Sequence, residues 1–309
     1  MILTISDFFN PTGNPKYVIT EVGTSWQYWV PLIICLLILS TLFIFKNFYL
    51  KLAKNKIFLM SLGIFQIFLY ILYYFLHFLY LYYFKEKGDP AGKTLRGWPW
   101  LFPLHLSSIT QILSGILLIR PNSYIFSITA PWVVIMVSVS FFLPAVTYYG
   151  PQHLSYWLFY IIHLIIVFTY WFLYIYGLVK YNRAYLLWSF ISLIIFSLIA
   201  LLFNGFSLLI YKNQNELTNF LFIGYKGYRL SSTITTANIF GTDKLWPLGY
   251  FFILIFGIIF LSLGHLFLSK IQPYYEWKSK TNKFVTLKRV RQKWDFASFK
   301  NMFKEGFRR

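Results

Sequence analysis

Apolar residues run through this chain in long stretches, and polar residues gather in the short intervals between them. Counted against the roughly 20 residues that a spanning helix needs, seven runs qualify, near 26–46, 57–84, 98–119, 124–147, 155–179, 184–211 and 246–269. The interval "RPNS" between the third and fourth runs demands a tight antiparallel hairpin. Trp26, Tyr28 and Trp29 open the first run and Trp98 and Trp100 the third, as an interfacial aromatic belt would. The pattern predicts an all-α polytopic membrane helix bundle of about seven transmembrane helices over 26–269. An extracytoplasmic N-terminal segment (1–25) and a basic cytoplasmic tail (270–309) flank it. The opening stretch lacks a basic start followed by an unbroken apolar core and is interrupted by Pro11, Gly13 and Pro15, so no cleaved signal peptide is expected.

Composition agrees. The chain is 58% hydrophobic and only 12% charged, about half the charged fraction of a soluble domain. The net charge of +19 points to nucleic acid only if the basic residues form a binding face, and here they sit between and after the apolar runs. No nucleic-acid partner is expected. With the N-terminus outside, 19 of the 28 Lys and Arg lie in inner segments and 9 in outer ones. That predicts a multi-pass protein of the plasma membrane, N-terminus outside and C-terminus cytoplasmic. The tail supplies 12 of those 19. Its Phe296, Phe299, Phe303 and Phe307 recur at helical spacing, so an amphipathic helix that binds an anionic membrane surface is expected there, beside the simpler reading of a solvated basic tail with a short docking helix.

The single cysteine, Cys35, lies mid-run, so no internal disulfide and no thiolate zinc site can form. No metal or cofactor is called for. The polar residues inside the runs are more informative, because hydrocarbon penalises each one that is not satisfied within the protein. At about 1.5 Å per residue, Ser107 lies roughly 9 to 14 Å below the outer boundary. His163, His77, Asn204 and His105 fall at similar depth, which defines a polar chamber shared by four runs. Most single hydroxyls in such helices bond back to a carbonyl one turn earlier, and His77 reads best as a packed donor. His265, near the inner end of the last run, reads as interfacial. His163 is harder to set aside, because an ionisable group well inside a membrane usually lines a cavity or a functional site. His105 shares a helix face with Ser108 but not with Ser107, so a base for Ser107 must come from another helix.

The string "FPLHLSSI" (102–109) resembles the "LPL(Q/H)LCS(I/L)" signature of the bacterial YwaF-like integral membrane proteins, a family related to vertebrate transmembrane protein 164. "QHLSYWLFYIIHLIIV" (152–167) is similar to that family's "PHFRFFxFFxxHxxIV", with His153 and His163 on its two histidines. "FNGFSLLIYKNQNELTNFLF" followed by "DKLWPLGYFFIL" resembles its asparagine, "NYMFL" and "PWY" elements, matching Asn204, Asn219, Phe220 and Pro247. The resemblance covers about residues 26 to 269 and implies a bundle of six to seven helices. It also implies lipid acyl transfer through a membrane-embedded cysteine, and a distant kinship with lipid hydrolases that pair a threonine with a histidine. Carried over, the nucleophile position is Ser107, in place of the usual cysteine, and the base is His163. The polar residue typical of the fourth span is matched only by Ser138 or Ser140.

Three function classes stay open. In the first, Ser107 attacks an acyl carbonyl, His163 takes its proton and His105, Gln111 or Asn204 stabilises the oxyanion, with Ser108 and His153 as neighbouring substrate candidates. In the second the chamber binds or transports a small molecule or lipid. In the third the protein is a non-catalytic membrane scaffold. Membrane lipids are the expected partners throughout.

Overall fold

The computed structural model describes residues 26–87, 105–142, 151, 154–210, 249–278, 283–288, 292 and 294–306. Five stretches are long and apolar enough to cross a membrane, namely Trp26–Ile44, Lys56–Phe75, Ser123–Phe142, Tyr156–Ile175 and Arg183–Phe206. The expected third and seventh runs appear as shorter apolar helices, Leu106–Ile119 and Leu254–Lys270. Leu37, Leu202 and Phe251 turn outward on these helices, an apolar surface that only lipid accommodates. This is a multi-pass membrane protein.

The elements are α1 (Trp26–Ile44), α2 (Lys46–Lys54), α3 (Lys56–Lys87), α4 (Leu106–Ile119), α5 (Ser123–Pro131), a π-helical stretch (Trp132–Val137) continuing into α6 (Ser138–Phe142), α7 (Leu154–Ile175), α8 (Leu186–Ile210), α9 (Gly249–Lys270), strands β1 (Tyr275–Lys278) and β2 (Lys283–Thr286), and α10 (Ala297–Gly306). Hydrogen bonds between helices fix which ends meet. At the end that carries Trp26, here called upper, Tyr28 donates to the Phe142 carbonyl at 3.0 Å and Tyr156 donates to that of Gln27. At the lower end Tyr176 donates to the Leu42 carbonyl at 2.8 Å and Ser189 to that of Ile128 at 2.7 Å. α1, α4, α7 and α9 therefore run downward and α3, the α5–α6 rod and α8 run upward.

Two local features have their cause in single residues. Pro131 has no N–H, so the Ser127 carbonyl loses its helical partner. Ser189 reaches across from α8 toward it at 3.4 Å, and the rod widens into its π-helical stretch just beyond. α7 ends at Gly177, whose φ of +67° an L side chain rarely adopts. The Leu178 N–H returns to the Leu173 carbonyl at 2.9 Å and the Gly177 N–H to that of Tyr174 at 3.0 Å, a glycine-terminated helix end.

The tail is more ordered than an amphipathic segment alone. The Tyr274 N–H bonds the Ile175 carbonyl at 2.8 Å and the Trp277 N–H that of Gly177 at 3.2 Å, which holds the antiparallel β1–β2 hairpin under the bundle. α10 packs on the lower end of α8. The four phenylalanines expected on one face do not act together. Phe296 precedes the helix and is exposed, Phe299 turns inward with its ring 5.2 Å from that of His265, Phe303 is exposed, and Phe307 lies outside the described residues.

Candidate functional site

Within the expected third run, 98–119, a helix starts at Leu106, where His105 with its extended backbone (φ −87°, ψ 144°) stands as the cap residue. Its residues 98–104 lie outside the described ones. Ser107 is thus the second residue of α4 rather than a mid-helix residue. The His105 carbonyl accepts from the N–H groups of Ser108 and Ile109, which leaves those of Leu106 and Ser107 ahead of the helical ladder, at the positive end of the helix dipole. Ser107 lies on one line with Gln111, Ser114 and Leu118, all three of them buried, and is itself half-buried at the top of that line.

Below it lies a polar core that bridges three helices. Gln66 of α3 donates through Nε2 to Thr169 Oγ1 of α7 at 2.9 Å and accepts at Oε1 from Ser114 Oγ of α4 at 2.7 Å. Gln111 donates from Nε2 to the Gln66 backbone carbonyl at 3.4 Å. All four side chains are buried. The bridge sets a register, since α4 and α7 both descend and Ser114 is level with Thr169. Going back about seven residues on each, roughly 10 Å up the bundle, sets Ser107 level with Ile162 and His163.

His163 is only 7% exposed. Its Nδ1 lies 2.7 Å from the Phe159 carbonyl, which can only accept, so a neutral ring carries its proton on Nδ1 and keeps the Nε2 lone pair. The Phe159 ring lies against the imidazole at 4.2 Å between centroids, and Phe141 of α6 approaches edge-on at 6.5 Å. His163 and Ser107 share a depth, but among the described residues no hydrogen bond joins them.

The other candidates divide. Ser108 bonds Tyr74 of α3 at 2.9 Å, on the side where Gly63 and Gly115 let α3 and α4 approach closely, so it belongs to a helix contact and not to Ser107. Gln111 belongs to the three-helix bridge. Asn204 is buried near the upper end of α8. His105 stands half-buried at the mouth of α4 and its side chain does not cap the helix. Ser138 bonds back to the Val133 carbonyl at 3.3 Å. His153, Asn219, Phe220 and Pro247 lie outside the described residues, as does the side chain of His77.

Sequence reading missed Gln66, Thr169 and a second cluster at the lower end. His265 is fully buried rather than interfacial, because the tail folds over it. Its Nδ1 shares a 2.7 Å hydrogen bond with the Tyr181 hydroxyl, and its Nε2 stands 3.9 Å from Asp295 Oδ2, which pairs with Arg183 at 3.1 Å. Burial works to raise the Asp295 carboxyl, but the Ser298 hydrogen bonds and the Arg183 charge outweigh it and hold the group below the usual carboxylate range. In the same tail a hydrogen bond from Lys180 at 2.5 Å lowers Glu276. The signal for Gln66 was present as a lone amide in an apolar run, whereas nothing local could show that residues thirty positions later cover His265.

No curated protein and no solved structure matches the chain. Residues 23–270, which include every apolar helix described above and both Ser107 and His163, match the model of the TMEM164 family, and the chain belongs to that family.

Proposed function

We propose that this protein is a seven-span membrane enzyme of acyl transfer to or from lipids, with Ser107 as nucleophile and His163 as general base. In the first step Ser107 Oγ bonds to the acyl carbonyl carbon while its proton passes to Nε2 of His163. The lipid alkoxide then leaves and takes that proton. In the second step a lipid hydroxyl or water, deprotonated by the same imidazole, bonds to the acyl carbonyl carbon; the bond to Ser107 Oγ breaks and the serine oxygen takes the proton back from His163. The observation that carries the reading is the placement of Ser107 at the N-terminus of α4, facing into the bundle, level with a buried histidine whose Nδ1 is engaged. The Leu106 and Ser107 N–H groups, which have no hydrogen-bond partner among the described residues, and the helix dipole suit a developing oxyanion, and they replace Gln111, whose amide is engaged by Gln66. Closing on a substrate has to bring Nε2 to within about 3 Å of Oγ. The orientation that goes with this reading has the upper end outside and the tail in the cytoplasm.

One observation favours a scaffold instead. The chamber's polar groups satisfy one another through Gln66, Ser114 and Thr169, and through Tyr74 with Ser108. Labelling of the purified protein with a serine-reactive lipid phosphonate, read by intact mass, separates the two. The enzyme reading expects one adduct in the wild type and none in Ser107→Ala, and the scaffold reading expects none in either.

A further inference from the structure

Two short helices at the lower end of the bundle repeat one arrangement. α2, with 9 residues, buries Ala53 and sets the Tyr49 ring against Phe168 and Phe172 of α7 at 5.6 and 6.2 Å, while Lys51, Lys54 and Phe48, the last 56% exposed, face out. α10, with 10 residues, buries Ser298, turns Phe299 onto His265, and leaves Lys300, Lys304 and Phe303, the last 62% exposed, facing out. Each helix therefore presents an exposed aromatic ring beside two lysines, on an outer face opposite the one that holds it to the bundle. Among the described residues none of the four lysines is in an ion pair, whereas Lys180 and Arg183 pair with Glu276 and Asp295. The roots of both helices are pinned to the same end. Lys46 Nζ lies 4.3 Å over the Tyr274 ring, whose N–H bonds the last residue of α7, and Lys270, the last residue of α9, donates to the Gln292 carbonyl at 2.7 Å.

We propose that α2 and α10 together form a collar that binds the anionic phospholipid headgroups of one leaflet. The lysines pair with phosphates, and Phe48 and Phe303 sink to the boundary between headgroups and acyl chains. A soluble anion would engage only the lysines, whereas a lipid surface offers phosphates to the lysines and an apolar boundary to the exposed faces of Phe48 and Phe303, so the pairing of ring with charge selects a lipid surface. The collar extends the basic-tail expectation to a helix on the opposite side of the sequence, and it is independent of the catalytic reading.

The test is native mass spectrometry of the full chain released from micelles doped with phosphatidylglycerol or phosphatidylcholine. The wild type retains phosphatidylglycerol in preference to phosphatidylcholine, and inorganic phosphate does not displace it. Each surface lysine contributes about fivefold at low salt, so Lys51→Gln with Lys54→Gln, or Lys300→Gln with Lys304→Gln, lowers retention of the anionic lipid up to about 25-fold, while the four Lys→Arg changes keep it. Equal retention of the two lipids by the wild type, unchanged retention in both Gln variants, or displacement by inorganic phosphate each overturns the proposal.

Discussion

Thr169→Val is nearly isosteric and removes one thing, the acceptor for Gln66 Nε2. Gln66 and Thr169 are 1% and 2% exposed, so no water reaches the amide, and a buried donor without a partner costs about 1 to 3 kcal/mol. Interhelical hydrogen bonds in membranes measure about 0.6 kcal/mol on average and up to about 1.7. We therefore expect Thr169→Val to destabilise by about 1 to 2 kcal/mol. Gln66→Leu in the same background should recover most of that loss, because Ser114 keeps its 2.7 Å bond to the Gln111 carbonyl and no amide is left buried without a partner. The assay is a double-mutant cycle on unfolding in mixed detergent micelles. Losses that simply add, or a Thr169→Val loss below about 0.3 kcal/mol, would refute the claim that Gln66 bridges α3, α4 and α7. A broken bridge also frees the register that holds Ser107 level with His163.

Other consequences are more local. A Cβ at Gly115 would lie 2.8 Å from the Gly63 carbonyl oxygen and 2.7 Å from Ile67 Cγ1, so Gly115→Ala should lower thermal stability in detergent, by about 1 to 3 kcal/mol as overpacking does. At Gly264 the contact is backbone, 2.4 Å from the Pro131 carbonyl oxygen, and Gly264→Ala should separate α9 from the α5–α6 rod and reduce folded yield. Gly177→Ala meets both a left-handed φ and the Tyr275 carbonyl, so limited proteolysis should cut the tail faster while the spans stay protected. The Asp295 carboxyl, facing Arg183 and His265, is held below its ordinary range when folded, so its contribution to tail docking is present above the unfolded value and is lost as pH falls through the folded one. Tail proteolysis should therefore accelerate at acid pH in the wild type, and Asp295→Asn should flatten that dependence.

The apolar periodicity made the spans legible, because hydrocarbon allows few structures and each needs a long unbroken run. Hydropathy gave no warning that the backbone at His105 is extended and that a helix starts at Leu106, inside the run at 98–119, since "LFPLH" is nearly as apolar as the helix after it. α2 reads as a loop in the sequence because nine residues with three lysines fall below any span threshold, and its helical form comes from Tyr49 packing on α7. Depth chose Ser107 and His163, and the Gln66 bridge sets the same level from tertiary contacts. What separates one wall of the chamber from another, such as Ser108 on Tyr74 against Ser107 on the inner line, depends on which helix lies beside α4, and spacing along one chain does not encode that.

Intact mass after incubation with an acyl-donor phospholipid in micelles tests whether Ser107 carries the acyl group. A single acyl adduct should form on the wild type and be absent from Ser107→Ala and His163→Ala, each checked for folding by its melting curve. Ser107→Cys should keep the adduct and tolerate loss of His163 better than the serine form, because a thiol ionises far more readily. Ser108→Ala, which loses only a bond to Tyr74, should keep it as well. An adduct that survives Ser107→Ala unchanged, or none on the wild type with any lipid class, contradicts the account.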